Sequence, residues 1–309
     1  MKKILTAFSV VLAFSAFSQQ DIQFTQYMFN RILYNPAYAG VNGSICANAL
    51  YRSQWTGFDG GPKSLNVNIE APVELLHGGL GLSIFNDKLG FQTNNTVRLS
   101  YSFHQELGDG ILGIGARFGV TDYGIVNPTW IDPNGGSGGT DPSIPQSTTN
   151  KITPDIGFGL YYWSDSWYAG VSSSQLVEFD ADLGGSTNFQ QRRHLYVDGG
   201  FRWELAPEWE LNPSLLFKSD FASFQVDLNA YAVYDGKFWG GISYRIEDAI
   251  AILLGYNITE QLRVGYSYDL TTSKLSNYSS GSHEIMLSYC FQIEIPPRTP
   301  QKYRNVRFL

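Results

Sequence analysis

What this sequence has little of narrows it quickly. Only two cysteines, Cys46 and Cys290, occur in 309 residues, which excludes a disulfide-dense secreted scaffold and leaves room for one bridge at most. The four histidines, His77, His104, His194 and His283, stand in separate stretches with no ligand-like spacing to cysteine or acid. No metal site and no cofactor is therefore expected. Beyond residue 17 no apolar run approaches the roughly twenty residues that a membrane helix needs, because Gly, Asn or a charge interrupts every candidate. Leu-rich helical patterning is missing as well.

The one long apolar run, 4–17, follows Lys2 and Lys3 and is too short to span a bilayer. With Ala16 and Ser18 ahead of the expected cut, it reads as a secretory signal peptide over 1–18, with the mature chain beginning at Gln19. Removal of Lys2 and Lys3 leaves 19 basic against 28 acidic residues, a net charge of about −9, so nucleic acid is not an expected partner.

An exported chain of this size without helical spans is either a β-sandwich or an outer-membrane barrel. Aromatics at 15% of residues, abundant glycine and a charged fraction of only 16% favour the barrel, whose strands need girdles and tight turns and whose outer face meets lipid. From about 44 to 295 the sequence runs in segments of roughly ten residues that alternate apolar and polar positions. Leu112, Ile114, Ala116, Phe118 and Val120 share one face, while Gly113, Gly115, Arg117 and Gly119 share the other. Period two places the first set in lipid.

Strands are expected near 44–55, 64–72, 78–87, 92–106, 110–122, 155–164, 166–175, 194–205, 208–218, 223–234, 237–246, 249–257, 261–270 and 282–294. The reading is an all-β, transmembrane antiparallel β-barrel of about 14 strands. If the first connection is extracellular, every even connection is short and the long ones, 123–154, 176–193 and 271–281, share the other rim. That parity is the mark of a barrel with its termini in the periplasm. The expected division is a signal peptide at 1–18, a plug or lid at 19–43, the barrel at 44–295 and a tail at 296–309.

Inward charges, including Arg98, Arg117, Asp198, Arg202, Glu204, Asp227, Arg245, Arg263, Asp269 and Glu284, have two readings: a cross-braced interior, because a buried charge is tolerated only when paired, or the lining of a pore. Cys46 and Cys290 fall near the same end of the first and last strands, neighbours in a closed barrel, as a disulfide or as two small thiols. His104 beside Ser100 or Ser102 is the pair a hydrolase would use, a combination expected by chance among so many serines.

The most specific linear signals precede and enter the first strand. Gln23-Phe24-Thr25-Gln26-Tyr27-Met28-Phe29-Asn30 is followed by Tyr34-Asn35-Pro36-Ala37-Tyr38-Ala39-Gly40, then by Tyr51-Arg52-Ser53-Gln54-Trp55-Thr56-Gly57-Phe58. Together with Gly281-Ser282-His283-Glu284-Ile285-Met286-Leu287-Ser288-Tyr289, these resemble the PorP/SprF family of Bacteroidota outer-membrane proteins, associated with type IX secretion and gliding. Arg31 and Ile32 stand where members often read Pro and Leu. Asn35-Pro36 favours a turn and its aromatic neighbours need an apolar surface, so 19–42 is expected in the lumen or under the periplasmic mouth, as a plug or as a simple lid.

The resemblance implies a non-enzymatic barrel, set in outer-membrane lipid, that works with the type IX machinery and holds a surface adhesin by its C-terminal domain. The long loops become candidates for the adhesin, and the periplasmic rim for secretion-ring lipoproteins. After Pro296-Pro297, the tail carrying Arg298, Lys302, Arg304 and Arg307 reads either as a disordered end or as a periplasmic docking peptide. The alternatives are a diffusion porin and an outer-membrane hydrolase.

Overall fold

A computed structural model describes residues 22–128, 145, 147–183 and 188–291. The signal peptide, most of the 123–154 loop and the basic tail with Arg298, Lys302, Arg304 and Arg307 lie outside the described residues.

The alternating segments form a closed antiparallel barrel. Its wall begins with β1 (Ile45–Ser53), β2 (Lys63–Val73), β3 (Gly78–Leu89), β4 (Gln92–Leu107), β5 (Gly110–Ile125), β6 (Thr149–Trp163) and β7 (Trp167–Ser174). A small separate hairpin, β8 (Phe179–Asp182) with β9 (Asn188–Gln191), follows within the next loop. The wall resumes with β10 (His194–Phe201), continued as β11 (Trp203–Ala206), then β12 (Trp209–Ser219), β13 (Phe224–Tyr234) and β14 (Phe238–Arg245). It ends with β15 (Ala249–Asn257), β16 (Leu262–Thr271) and β17 (Ser282–Phe291), which pairs with β1. Counting β10 and β11 as one, fourteen strands close the wall.

Fourteen is the expected number, and both faces follow the expected parity. Leu99, Phe118, Ile242, Leu254 and Ile285 point outward and are exposed to what is lipid in a membrane, whereas Arg98, Arg117, Ser100 and Glu284 are buried inside. Period two does this without further instruction, since each strand is apolar on one face only. No connection on one rim exceeds four residues, and the long ones all lie on the other.

Two expectations are corrected. The 123–154 loop is shorter than read, because β5 runs on to Ile125 and β6 starts at Thr149, and the 176–193 loop is not irregular throughout but holds the β8–β9 hairpin. Arg202 and Glu204 are exposed rather than enclosed, at the short-turn mouth where the wall strand breaks between β10 and β11. Proline explains both irregularities. Pro154 lies in the stretch of β6 that β7 does not pair, and Pro213 of β12 lies opposite the break. A residue without an N–H is tolerated where no ladder bond is asked of it.

Cys46 and Cys290 face each other in the β1–β17 register and are disulfide-bonded across the seam. The bond joins residues 244 apart, for which the chain-entropy model gives a stabilisation of about 5 kcal/mol.

Candidate functional site

The barrel's core is a chain segment inside it. From Ser44 at the short-turn rim, residues 43 back to 22 run up into the lumen, so the first described residues, Ile22 and Gln23, reach the vestibule toward the long loops. The strands themselves begin and end at the short-turn rim. Three single turns of 3-10 helix, Tyr27–Phe29, Arg31–Leu33 and Pro36–Tyr38, compact the segment. The last is fixed locally: Pro36 presets its first position and the Asn35 side chain accepts a hydrogen bond from Ala37 N at 3.0 Å.

Its first half is held by charge. Glu284 accepts the N–H groups of Thr25 and Gln26, each at 2.8 Å, and the Thr25 hydroxyl donates to Asp269 at 2.7 Å. Arg52 ties both acids together, with Nη2 at 2.7 Å from Asp269 and Nη1 at 3.1 Å from Glu284, and also donates to the Thr25 hydroxyl at 2.8 Å. Arg245 joins from β14, pairing with Asp227 at 3.2 Å and Asp269 at 3.4 Å. Every charge in this clasp is buried, where pairing is the condition for tolerating it. Gln23 bonds Gln225, and Asn30 donates to Asn66 and Asn68 at 3.1 and 2.8 Å.

The second half is held mainly by shape, with hydrogen bonds to its backbone. A methyl group added at Gly115 would overlap the Ala37 backbone, and one at Gly79 would overlap the carbonyl of Ala39 and Cα of Gly40. Gly81 makes way for Ile32, and Gly159 for Asn35. The inward glycines of the wall are thus the footprint of the segment. Ser102 donates to Ala37 O at 2.7 Å, Ser172 to Tyr34 O at 2.9 Å, Arg117 to Leu33 O at 3.2 Å and Asn35 to Leu160 O at 3.0 Å. Gly40, at φ +78°, donates its N–H to Glu70 at 3.1 Å.

Apolar contacts fill what remains. Phe24, Tyr27, Met28, Leu33 and Tyr34 pack with wall residues that include Leu50, Phe85, Tyr196, Trp239 and Met286. Phe29 tilts against Trp239 and Tyr231, and Tyr38 meets Tyr161 edge-on at 5.2 Å. The segment divides the lumen into a long-loop vestibule of about 660 Å³ and a short-turn vestibule of about 630 Å³ that share no lining residue.

Nearly all the motif residues converge here. Gln23, Phe24, Gln26, Tyr27, Met28, Phe29, Asn30, Asn35, Pro36, Ala37, Tyr38 and Gly40 form the segment, and Arg52 is its clasp. Gln54 and Trp55 line the long-loop vestibule, where Trp55 N bonds the Ser282 hydroxyl. Tyr51 points outward, and Gly57 turns the first loop at φ +94° beside Ser280. Sequence reasoning missed Glu70, Asn66 and Asn68 as anchors, and Asp155 as the acid that pairs with Arg98 and Arg117. The signal was present, since each is a polar residue on the inward parity of its strand. Of the hydrolase pair, Ser102 spends its hydroxyl on Ala37, and His104 packs edge-on against Trp163. Among the described residues no three His, Cys, Asp or Glu side chains gather as a metal site would require.

Residues 16–289 match the family described as type IX secretion system membrane protein PorP/SprF. The chain belongs to the PorP/SprF family. As a family member with this wall it is an outer-membrane β-barrel of the type IX secretion system. No curated protein sequence matches it. Among solved structures it is similar to the Ralstonia pickettii toluene transporter TbuX, at 13% identity and a TM-score of 0.51 over 85% of this chain and 92% of that one. It is also similar to the outer-membrane protein Omp33 of Acinetobacter baumannii (7% identity, TM-score 0.45, 80% and 97% covered). A Pseudomonas aeruginosa FadL homologue is a third (10% identity, TM-score 0.44, 81% and 89% covered). At such identities TbuX shares the barrel fold, and nothing about cargo follows.

Proposed function

We propose that this PorP/SprF barrel supports type IX export and surface attachment of a partner adhesin by receiving the adhesin's C-terminal domain at its long-loop rim. On this reading the short-turn rim, with the 296–309 tail and its Arg298, Lys302, Arg304 and Arg307, meets the secretion-ring lipoproteins, and the role is non-enzymatic. The observation that carries it is the occupied lumen in a chain of this family: a general diffusion pore is an open passage, whereas a filled barrel is suited to act as a rigid scaffold with its surfaces at the rims. The long-loop vestibule is lined by amides, hydroxyls and aromatics such as Gln54, Trp55, Gln92, Asn94, Gln175 and Phe224, groups that suit a polypeptide.

The test is affinity purification from the native membrane with a tag in a long loop, followed by mass spectrometry. Recovery of a large surface adhesin or of ring lipoproteins supports the reading. Recovery of the barrel alone, under conditions that preserve other membrane complexes, overturns it. A diffusion porin would conduct steadily in planar bilayers, where a barrel filled by residues 22–43 is expected to be nearly silent.

A further inference from the structure

The β5–β6 hairpin rises past its neighbour on one side. Phe158 is the first residue of β6 that β7 pairs, so residues 149–157 are laddered to β5 alone. A tilted transmembrane strand needs about 9–11 residues, and counted from Trp163 at the short-turn end that length is used up near Thr153. Residues 149–152 therefore stand in water at the long-loop rim. The arm is held in shape by side chains: Asn150 donates to Asp122 at 2.8 Å, the Thr148 hydroxyl accepts from Asn127 N at 3.1 Å, and Thr96 and Thr121 share a hydrogen bond of 3.0 Å.

The open side of this arm is satisfied as far as the membrane and no further. Ile156 O turns away from β5 and accepts from Leu176 N at 2.9 Å, and Pro154 O accepts from the Gln191 side chain at 3.1 Å. In an antiparallel ladder alternate residues direct both main-chain groups to the same side, so Ile152 and Asn150 turn the way Ile156 and Pro154 do. Proline at 154 fits that parity, since it has no N–H for β5 to lose. Among the described residues no strand pairs Asn150 or Ile152 on the open side, and no main-chain bond reaches them there. Lipid excludes an open edge below the rim; above it, these two residues present two donors and two acceptors in strand geometry.

An edge of this kind is recognised by an extended polypeptide, which adds a strand through main-chain hydrogen bonds. A second copy of this chain fits poorly. Matching Asn150 and Ile152 of one edge to Ile152 and Asn150 of another sets Lys151 against Lys151, and like charges directly opposite repel. Lys151 is exposed, on the strand face that also carries Thr153 and Asp155, and favours an acid on the incoming strand. Tyr123 of β5 and Gln191 line the long-loop vestibule, so the edge is continuous with the surface proposed for the partner.

We propose that β6 receives an acid-bearing extended segment of the exported adhesin as an added strand at Asn150 and Ile152. This rests on the export reading and gives its partner a docking mode. The full-length protein is purified from the native membrane through a tag in the 271–281 loop, as wild type, Ile152→Pro and Ile152→Ala. Proline removes the N–H offered to the partner and none that β5 uses. Ile152→Pro is expected to lower the adhesin recovered per barrel at least tenfold, and Ile152→Ala less than twofold. In the wild-type barrel alone, the amides of Asn150 and Ile152 are expected to exchange at least tenfold faster than those of Lys151 and Thr153, and to slow to match them in the complex.

Adhesin retained by Ile152→Pro, or lost equally in Ile152→Ala, overturns the added strand and leaves the export reading standing. So does slow exchange at Asn150 and Ile152 in the barrel alone, the result that cover by its own loop or by a second copy would give. A wild-type barrel that recovers no adhesin brings down both. The exchange pattern of the wild-type protein decides the matter even where Ile152→Pro does not fold.

Discussion

The two halves of the luminal segment reach the same burial by opposite means. Residues 22–30 are gripped by ionised side chains: Glu284 and Asp269 take N–H and hydroxyl donors, and Arg52 and Arg245 neutralise the acids. Residues 31–43 are gripped by fit, with backbone laid against wall glycines and carbonyls received by Ser102, Ser172 and Arg117. Charge holds a segment strongly but tolerates no missing member, because an orphaned buried ion costs more than the pair contributes. Shape spreads the same task over many weak contacts, each of which needs a Cβ to be absent.

That contrast can be broken most forcefully at Arg52. Arg52→Ala leaves Asp269 and Glu284 buried beside an unsupported Thr25, and is expected to cost about 3–5 kcal/mol, read as a lower urea midpoint in detergent. Burial shields this clasp, so 0.5 M salt should change the wild-type midpoint little. If salt weakens it as much as the mutation does, the charges are wetter than their burial implies.

Gly115→Val attacks the other half. The added methyls meet the Ala37 backbone, which has nowhere to rotate, and a cost of about 1–3 kcal/mol is expected together with ion conductance through the loosened lumen. Conductance that stays silent would mean that the first half alone closes the barrel. Asn35→Ala is a milder version, removing the bond to Leu160 O and the one from Ala37 N, with an expected loss of about 1–2 kcal/mol.

The smallest effect is expected outside the lumen. Glu178 in the β7–β8 connection accepts from Arg193 N and pairs with Arg192, and that backbone bond, followed by the two arginine side chains, holds its carboxyl below the ordinary value. A depressed carboxylate stabilises the fold above its unfolded pKa and loses that contribution as pH falls through its folded one. Limited proteolysis of this loop should therefore quicken on acidification in the wild type and change less in Glu178→Gln, with the barrel midpoint unmoved. A shifted midpoint would tie the loop to the wall.

The sequence showed different parts of this to different depths. The fourteen strands and their faces were legible because period-two alternation is a local property of each strand. The luminal segment was legible as an apolar, aromatic stretch with a turn signal, though its choice between lumen and mouth was not. Arg52 and Glu284 could be read as inward charges by parity, yet their pairing depends on a strand-to-strand register that brings residues 232 apart in sequence to 3.1 Å. The early start of β6 was hidden by proline, asparagine and threonine, which spell loop locally and are tolerated where one side of the strand is unpaired.

By itself, then, the sequence determined an outer-membrane barrel, which residues face lipid, and which rim carries the long loops, since alternation and turn composition act over a few residues and need no distant partner. Only the tertiary structure decided that Gly79, Gly115 and Gly159 form the bed of the luminal segment and that Cys46 and Cys290 are joined. These facts depend on closure of the wall, which makes the last strand a neighbour of the first and turns the inward faces of all fourteen toward one enclosed segment.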